Sequence, residues 1–93
     1  MNLTGQWRKL ETPDCASRYP DEIEFRDTRF LARKGPEQGF VVWDVGGYEV
    51  LGENEVRVQI ATDEQVVYEF TLEDGIVTFV DGDGCRFSYR RVE

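Results

Sequence analysis

Apolar and polar residues alternate along most of the chain, with a period close to two rather than 3.6. Val56, Val58 and Ile60 point to one side of their segment, while the polar residues between them point to the other. The runs 66–72 and 85–91 repeat the pattern. This alternation predicts β-strands that turn one face to a core and the other to water.

Turn signals such as Gly52-Glu53-Asn54 and Glu73-Asp74-Gly75 separate these runs at short, even intervals. A helix finds room only at a short turn around residues 15–18. Between the turns we place short strands near residues 3–10, 22–26, 29–34, 39–45, 48–51, 55–61, 65–72, 76–81 and 85–91. Because the connections are too short to cross a sheet, strands that are adjacent in sequence are adjacent in space.

A meander with this many strands either exposes two edges or closes on itself, and closure removes the edges. The sequence therefore predicts an all-β fold, a small closed antiparallel up-and-down (meander) barrel of about eight to nine strands. Residues 1–93 form a single domain. The candidate interior, which a small apolar ligand would contact, is aromatic and consists of Phe25, Phe30, Tyr68, Phe70, Phe87 and Tyr89.

Short motifs at both ends of the chain resemble a known family. Gly5-Gln6-Trp7 opens the first strand, Gly47-Tyr48-x-Val50 lies in the middle, and Phe87-x-Tyr89-Arg90-Arg91 closes the last strand. With these motifs the chain resembles the small bacterial lipocalin-like domains of the calycin group. The resemblance implies a barrel in which Arg91 lies across the Trp7 indole as a structural pair that closes one end. It also implies a ligand, for which we expect a small pocket at the opposite end.

Residues 39–45 depart from the simple alternation, because both faces of this predicted strand carry apolar side chains. One of the two faces consists of Val41, Trp43 and Val45. A second apolar face indicates a lipid-like cargo, a partner surface or a covering segment of the same chain. We take these three residues as a candidate interface and expect a homodimer through them, since a two-fold pair is the commonest oligomer.

The two cysteines are expected at the same rim of the barrel. Cys15 follows the first strand and Cys85 begins the last, and in a closed barrel these two strands are antiparallel neighbours. A disulfide between them would close a long loop, which contributes about 4 kcal/mol in the chain-entropy account. Reduced thiols are the alternative, and they fit the cytoplasmic location that we expect because the N-terminus has no signal-peptide features.

Composition and charge narrow the chemistry. The chain has no histidine, which removes the usual general base and the usual zinc ligand, and we predict no metal and no cofactor. Nineteen acidic residues against eleven basic ones give a net charge of -8, which disfavours binding to nucleic acid or to an anionic membrane. No apolar run is long enough for a transmembrane helix.

Two functions from different classes fit this sequence. The first is the binding of a small apolar ligand by a lipocalin-like barrel, and the second is a protein-interaction or homodimerising module without a ligand. An enzyme based on carboxylates or tyrosines ranks below both, because no cluster of inward polar residues is visible. The volume of the barrel interior distinguishes the first two functions, since a barrel filled by its own side chains cannot hold a ligand.

Overall fold

The computed structural model describes residues 3–10 and 14–92, which fold into a closed barrel of eight antiparallel strands. Each strand pairs with the next along the chain, and the last pairs with the first. The strands are β1 (Gly5–Lys9), β2 (Glu22–Phe25), β3 (Arg29–Arg33), β4 (Val45–Val50), β5 (Glu55–Gln59), β6 (Gln65–Glu73), β7 (Ile76–Val80) and β8 (Arg86–Val92). A short 3₁₀ helix, Asp14–Arg18, lies between β1 and β2. The prediction of an all-β, up-and-down barrel is confirmed.

The alternation of the sequence is reproduced along the strands. In β5, Val56 and Val58 are fully buried while their neighbours are not, and in β6 Tyr68 and Phe70 are buried between exposed residues. Successive side chains of a strand point to opposite faces, so a period of two puts the apolar residues of these strands on the inner face, with the exception of Val67, which is exposed.

Tight turns set the up-and-down order. Between β6 and β7 the chain reverses at Asp74 and Gly75, which both have positive φ angles of 55° and 77°. Two consecutive residues with positive φ are typical of the type I′ turn, whose twist matches that of the strands it joins. The two residues are therefore well suited to the hairpin.

The glycine pair Gly46-Gly47 lies where β4 changes its partner. Residues 45–47 pair with β3, whereas residues 48–50 pair with β5. A Cβ atom at Gly46 would lie 3.0 Å from the Gln59 carbonyl oxygen, and the Gly47 amide donates a hydrogen bond of 3.2 Å to the Gln59 side chain. A larger residue at Gly46 would therefore require the Gln59 backbone to move by a few tenths of an ångström.

The predicted strand at 39–45 is wrong. The structure has no strand between Arg33 and Val45, and β4 runs on from Val45 through the position of the next predicted strand. Residues 34–44 instead form a loop held by backbone hydrogen bonds, with the Val42 amide donating to the Arg18 carbonyl and the Ala61 amide donating to the Val42 carbonyl. The reason is the next residue, Trp43, which enters the barrel interior.

Both ends of the barrel are closed. At one end Trp7 is buried beside Leu3, and its indole Nε1 donates a hydrogen bond of 2.8 Å to the Leu3 carbonyl. At the other end the 3₁₀ helix and the loop 34–44 lie over the interior, and each buries one of its own side chains there, Ala16 from the helix and Trp43 from the loop. The pocket expected at the end opposite Trp7 is therefore replaced by the chain's own residues.

Candidate functional site

The residues predicted to line a ligand site all face the interior, but they pack against one another. Each is at most 7 % exposed, and their rings form a continuous aromatic cluster. Ring centroids are 6.1 Å apart for Phe25 and Phe30, and 6.2 Å apart for Phe87 and Tyr89. Tyr68 lies 6.2 Å from Phe87, and Phe70 lies 6.3 Å from Phe79. These separations are those of packed aromatic pairs, so the side chains fill the space that a ligand would need.

Trp43 occupies the centre of this aromatic cluster. Its ring centroid lies 5.0 Å from that of Phe79, 5.1 Å from Tyr68 and 5.5 Å from Phe87, in edge-to-face arrangements. The residue is 0 % exposed. This corrects its assignment to an interface, because an indole that fills the core cannot contact a partner. The other two residues of that predicted face lie outside the core: Val41 is half-buried and Val45 is 50 % exposed.

Trp7 and Arg91 stack at the opposite end. The Arg91 guanidinium carbon lies 4.3 Å from the centre of the Trp7 ring, and its Nη1 donates a hydrogen bond of 2.7 Å to the Thr4 carbonyl. The two residues also face each other in the pairing of β1 with β8. A guanidinium over an indole face is a favourable cation–π contact. The pair holds the first and last strands together and covers that end of the core.

The two cysteines form a disulfide bond. Cys15 in the 3₁₀ helix is joined to Cys85, just before β8, with their Cα atoms 6.1 Å apart. The bond spans 70 residues of sequence, and closing a loop of that length contributes about 4 kcal/mol in the chain-entropy account. It fastens the 3₁₀ helix over the end of the barrel that Trp43 fills.

A polar cluster that the sequence did not predict lies beside this disulfide. The Asp81 carboxylate accepts hydrogen bonds from the Tyr19 hydroxyl at 2.7 Å, from Arg18 at 3.2 Å, and from the backbone amides of Asp83 and Cys85 at 2.9 Å. Burial by itself would raise the pKa of Asp81, but these donors together hold the pKa of that carboxyl below its ordinary value. The Asp81 Oδ1 atom fastens the turn and the Oδ2 atom holds Arg18 and Tyr19, so the cluster has a structural role.

The described residues contain no metal site. Over residues 3–10 and 14–92, no group of three aspartate, glutamate, cysteine or histidine side chains is placed to hold an ion. The same part of the chain has no helix long and apolar enough to cross a membrane.

Charge is divided unequally around the barrel. Residues 35–85 contain twelve acidic residues and a single basic one, Arg57, whereas the other described residues contain ten basic and five acidic ones. Most of the basic residues lie on neighbouring strands, because β8 closes on β1 and β1 pairs with β2. We call the outer face of β8, β1, β2 and β3 the basic wall; its charged residues are Arg8, Arg26, Arg29, Arg33, Arg86, Arg90, Glu22 and Glu24.

The strand register arranges the basic wall in two rows. The first row runs across the strands through directly paired residues, Arg90 with Arg8, Arg8 with Glu22, and Glu22 with Arg33. Glu22 forms ion pairs of 3.6 Å with both Arg8 and Arg33. The second row is less charged and consists of Val92, Gln6, Glu24 and Leu31, after which Leu31 pairs with Val45 of β4.

Open clefts border these rows. One cleft of about 480 Å³ is lined by residues of both rows, among them Arg8, Glu22 and Leu31. Two others, of about 520 Å³ and 240 Å³, also have Arg8 in their walls. All three open on the outer surface. The six predicted interior residues line none of them, whereas Trp7 lines the cleft of about 480 Å³.

Sequence reasoning missed the basic wall, although part of the signal was present. The net charge of -8 conceals a long acidic stretch between two basic ends. The predicted closure of the barrel brings the two ends of the chain side by side, but the sequence alone does not give the strand register that aligns their arginines in rows.

Comparison with known proteins adds no functional information. No known protein family matches the chain, and no curated protein has significant sequence similarity to it.

Proposed function

We propose that this protein is an interaction module that binds its partner on the outer surface of a filled barrel. The observation that carries the proposal is the packed interior. Trp43 lies at the centre of the aromatic cluster, and both ends of the barrel are covered by the chain itself. Side chains at crystalline packing density leave no volume for an apolar ligand.

The outer surface, unlike the filled interior, has clefts that a partner could occupy. One of its clefts is lined by arginines and by the exposed apolar residues Leu31 and Val92, and arginine is enriched at protein-binding surfaces. The homodimer expected from the sequence loses its main anchor, because Trp43 is buried. A partner of different sequence is therefore the better proposal.

We also propose that the barrel is a relative of the calycins. The support is the Arg91 guanidinium over the Trp7 indole, in a meander barrel that starts with Gly5-Gln6-Trp7. In this proposal the chain retains the architecture of a ligand-binding family while its interior is occupied by its own aromatic residues.

The disulfide indicates the kind of cellular compartment in which the protein is located. Structural disulfides persist in oxidising compartments and are rare in the cytoplasm. The Cys15–Cys85 bond therefore favours an oxidising location over the cytoplasmic one expected from the sequence. We propose that the oxidised barrel is the functional form.

Native mass spectrometry of the protein isolated gently from its own cells tests the proposal. We expect two species, the chain without any small molecule and a larger complex that contains a second protein. An apolar small molecule bound in stoichiometric amount would contradict the proposal, and so would a chain that is monomeric in every native extract. Mild denaturation of the same sample identifies each bound component by its mass.

A further inference from the structure

We propose that the basic wall is the docking surface, and that its occupant is an acidic protein segment containing apolar residues. The inference rests on the proposed function and adds the site and the chemistry of the partner. It follows from the two rows of the basic wall, which place arginines and exposed aliphatic residues next to each other on four neighbouring strands.

The first row supplies the charge. The side chains of Arg8 and Arg33 are 67 % and 83 % exposed, so carboxylates of a partner have direct access to them. Glu22 is paired with both, but an arginine has five N–H donors and one shared carboxylate leaves most of them available. Bidentate arginine–carboxylate contacts are specific in geometry as well as favourable in energy. Arg90 extends the same row by one strand.

The second row supplies apolar contact. Leu31 is 40 % exposed and Val92 is 36 % exposed, and both line the same cleft of about 480 Å³. Val45, the cross-strand neighbour of Leu31, is 50 % exposed. Aliphatic groups at these positions favour a partner with apolar side chains, because burying them removes apolar surface from water.

These features favour a protein over a nucleic acid. The exposed aliphatic residues Leu31 and Val92 have no apolar group to contact on a phosphate backbone, whereas apolar side chains of a protein segment can bury them. The acidic remainder of the chain would also repel a long polyanion.

A defined peptide tests the inference on the whole protein. The probe is a synthetic peptide of about ten residues, containing glutamate and leucine with serine spacers, long enough when extended to cross four strands. Binding is followed by backbone amide NMR. We expect shift changes in β8, β1, β2 and β3, and an affinity that falls as salt is added. Two matched peptides, one with glutamine for glutamate and one with serine for leucine, should each bind more weakly.

Variants of the protein separate local from general charge effects. The triple variant Arg8→Gln, Arg33→Gln and Arg90→Gln should bind the peptide about tenfold more weakly. Arg8→Gln alone should also weaken binding, and Arg57→Gln is its matched control, because each removes one exposed arginine paired with a glutamate but Arg57 lies on β5. Arg57→Gln should bind like the wild type. All four positions are outside the core, and circular dichroism checks that each variant is folded.

The inference is overturned by any of three results: shift changes outside the basic wall, equal weakening by Arg57→Gln, or tighter binding of a single-stranded oligonucleotide at the same wall. Self-association of the free protein through these strands would overturn it as well. Such failures leave the proposed function intact if native extracts contain a complex without a small molecule. The proposed function fails separately, if the isolated barrel carries an apolar ligand.

Discussion

Replacing Trp43 with alanine is expected to lower the free energy of unfolding by about 3–5 kcal/mol, the range for deleting a large buried aromatic side chain. Trp43 contacts aromatic rings from several strands and from the segment that precedes β2. Its removal leaves a cavity at the centre of the core that the closed barrel cannot easily collapse. Urea denaturation, followed by circular dichroism, measures the change.

Phe40→Ala is the matched control for this prediction. Phe40 lies in the same loop as Trp43, but it is 70 % exposed. Its replacement should change the free energy of unfolding by no more than about 0.5 kcal/mol. If Trp43→Ala also costs less than about 1 kcal/mol, then the indole does not fill the core, and the interior is open to a ligand.

Alkaline pH is expected to unfold the protein, because three tyrosines are buried. Burial raises the pKa values of Tyr19, Tyr68 and Tyr89 above the ordinary value, and for Tyr19 the hydrogen bond to the Asp81 carboxylate raises it further. The folded protein thus keeps protons that the unfolded chain releases near pH 10. The stability is complete below about pH 10 and falls as the pH rises, by about 1.4 kcal/mol per pH unit for each such tyrosine.

Ultraviolet absorbance of tyrosinate and circular dichroism, measured on the same samples, check this expectation. The buried tyrosines should ionise only as the fold is lost, so the two signals should change together. Tyr68→Phe keeps the ring and removes the titrating hydroxyl. It should therefore make the free energy of unfolding fall less steeply as the pH rises. Ionisation of all the tyrosines near pH 10 in a protein that stays folded would show that their hydroxyls are in contact with water.

The sequence predicted the strands where local pattern determines the structure. In β5 and β6 the inward residues are all apolar and the outward residues are mostly polar. The period of two in the sequence therefore predicts both the strands and which of their residues are buried. The prediction of a strand at residues 39–45 was wrong, because a segment with apolar residues on both sides fits two structures. One is a strand covered on both faces, and the other is a loop that inserts one side chain into the core. Only the loop places Trp43 inside the barrel, through its end rather than its wall.

The candidate site shows a similar limit. The pattern identified which aromatic residues face inward. The space left between them depends on how the ends of the barrel are covered, and this covering brings Trp43 and Tyr19 into the core from irregular segments. The disulfide and reduced thiols were both compatible with the sequence, which does not fix the position of the 3₁₀ helix. The rows of the basic wall required the register of four strands drawn from both ends of the chain.

Titration with a long-chain fatty acid, followed by intrinsic tryptophan fluorescence, tests most directly whether the barrel is filled. Both tryptophans are reporters of the interior, since Trp7 is 1 % exposed and Trp43 is 0 % exposed. We predict no saturable change, and a dissociation constant no tighter than about 10 μM, or roughly -7 kcal/mol, for any residual binding. Saturable binding with a submicromolar dissociation constant would show that the interior is hollow, and would contradict the proposal that this barrel works through its outer surface.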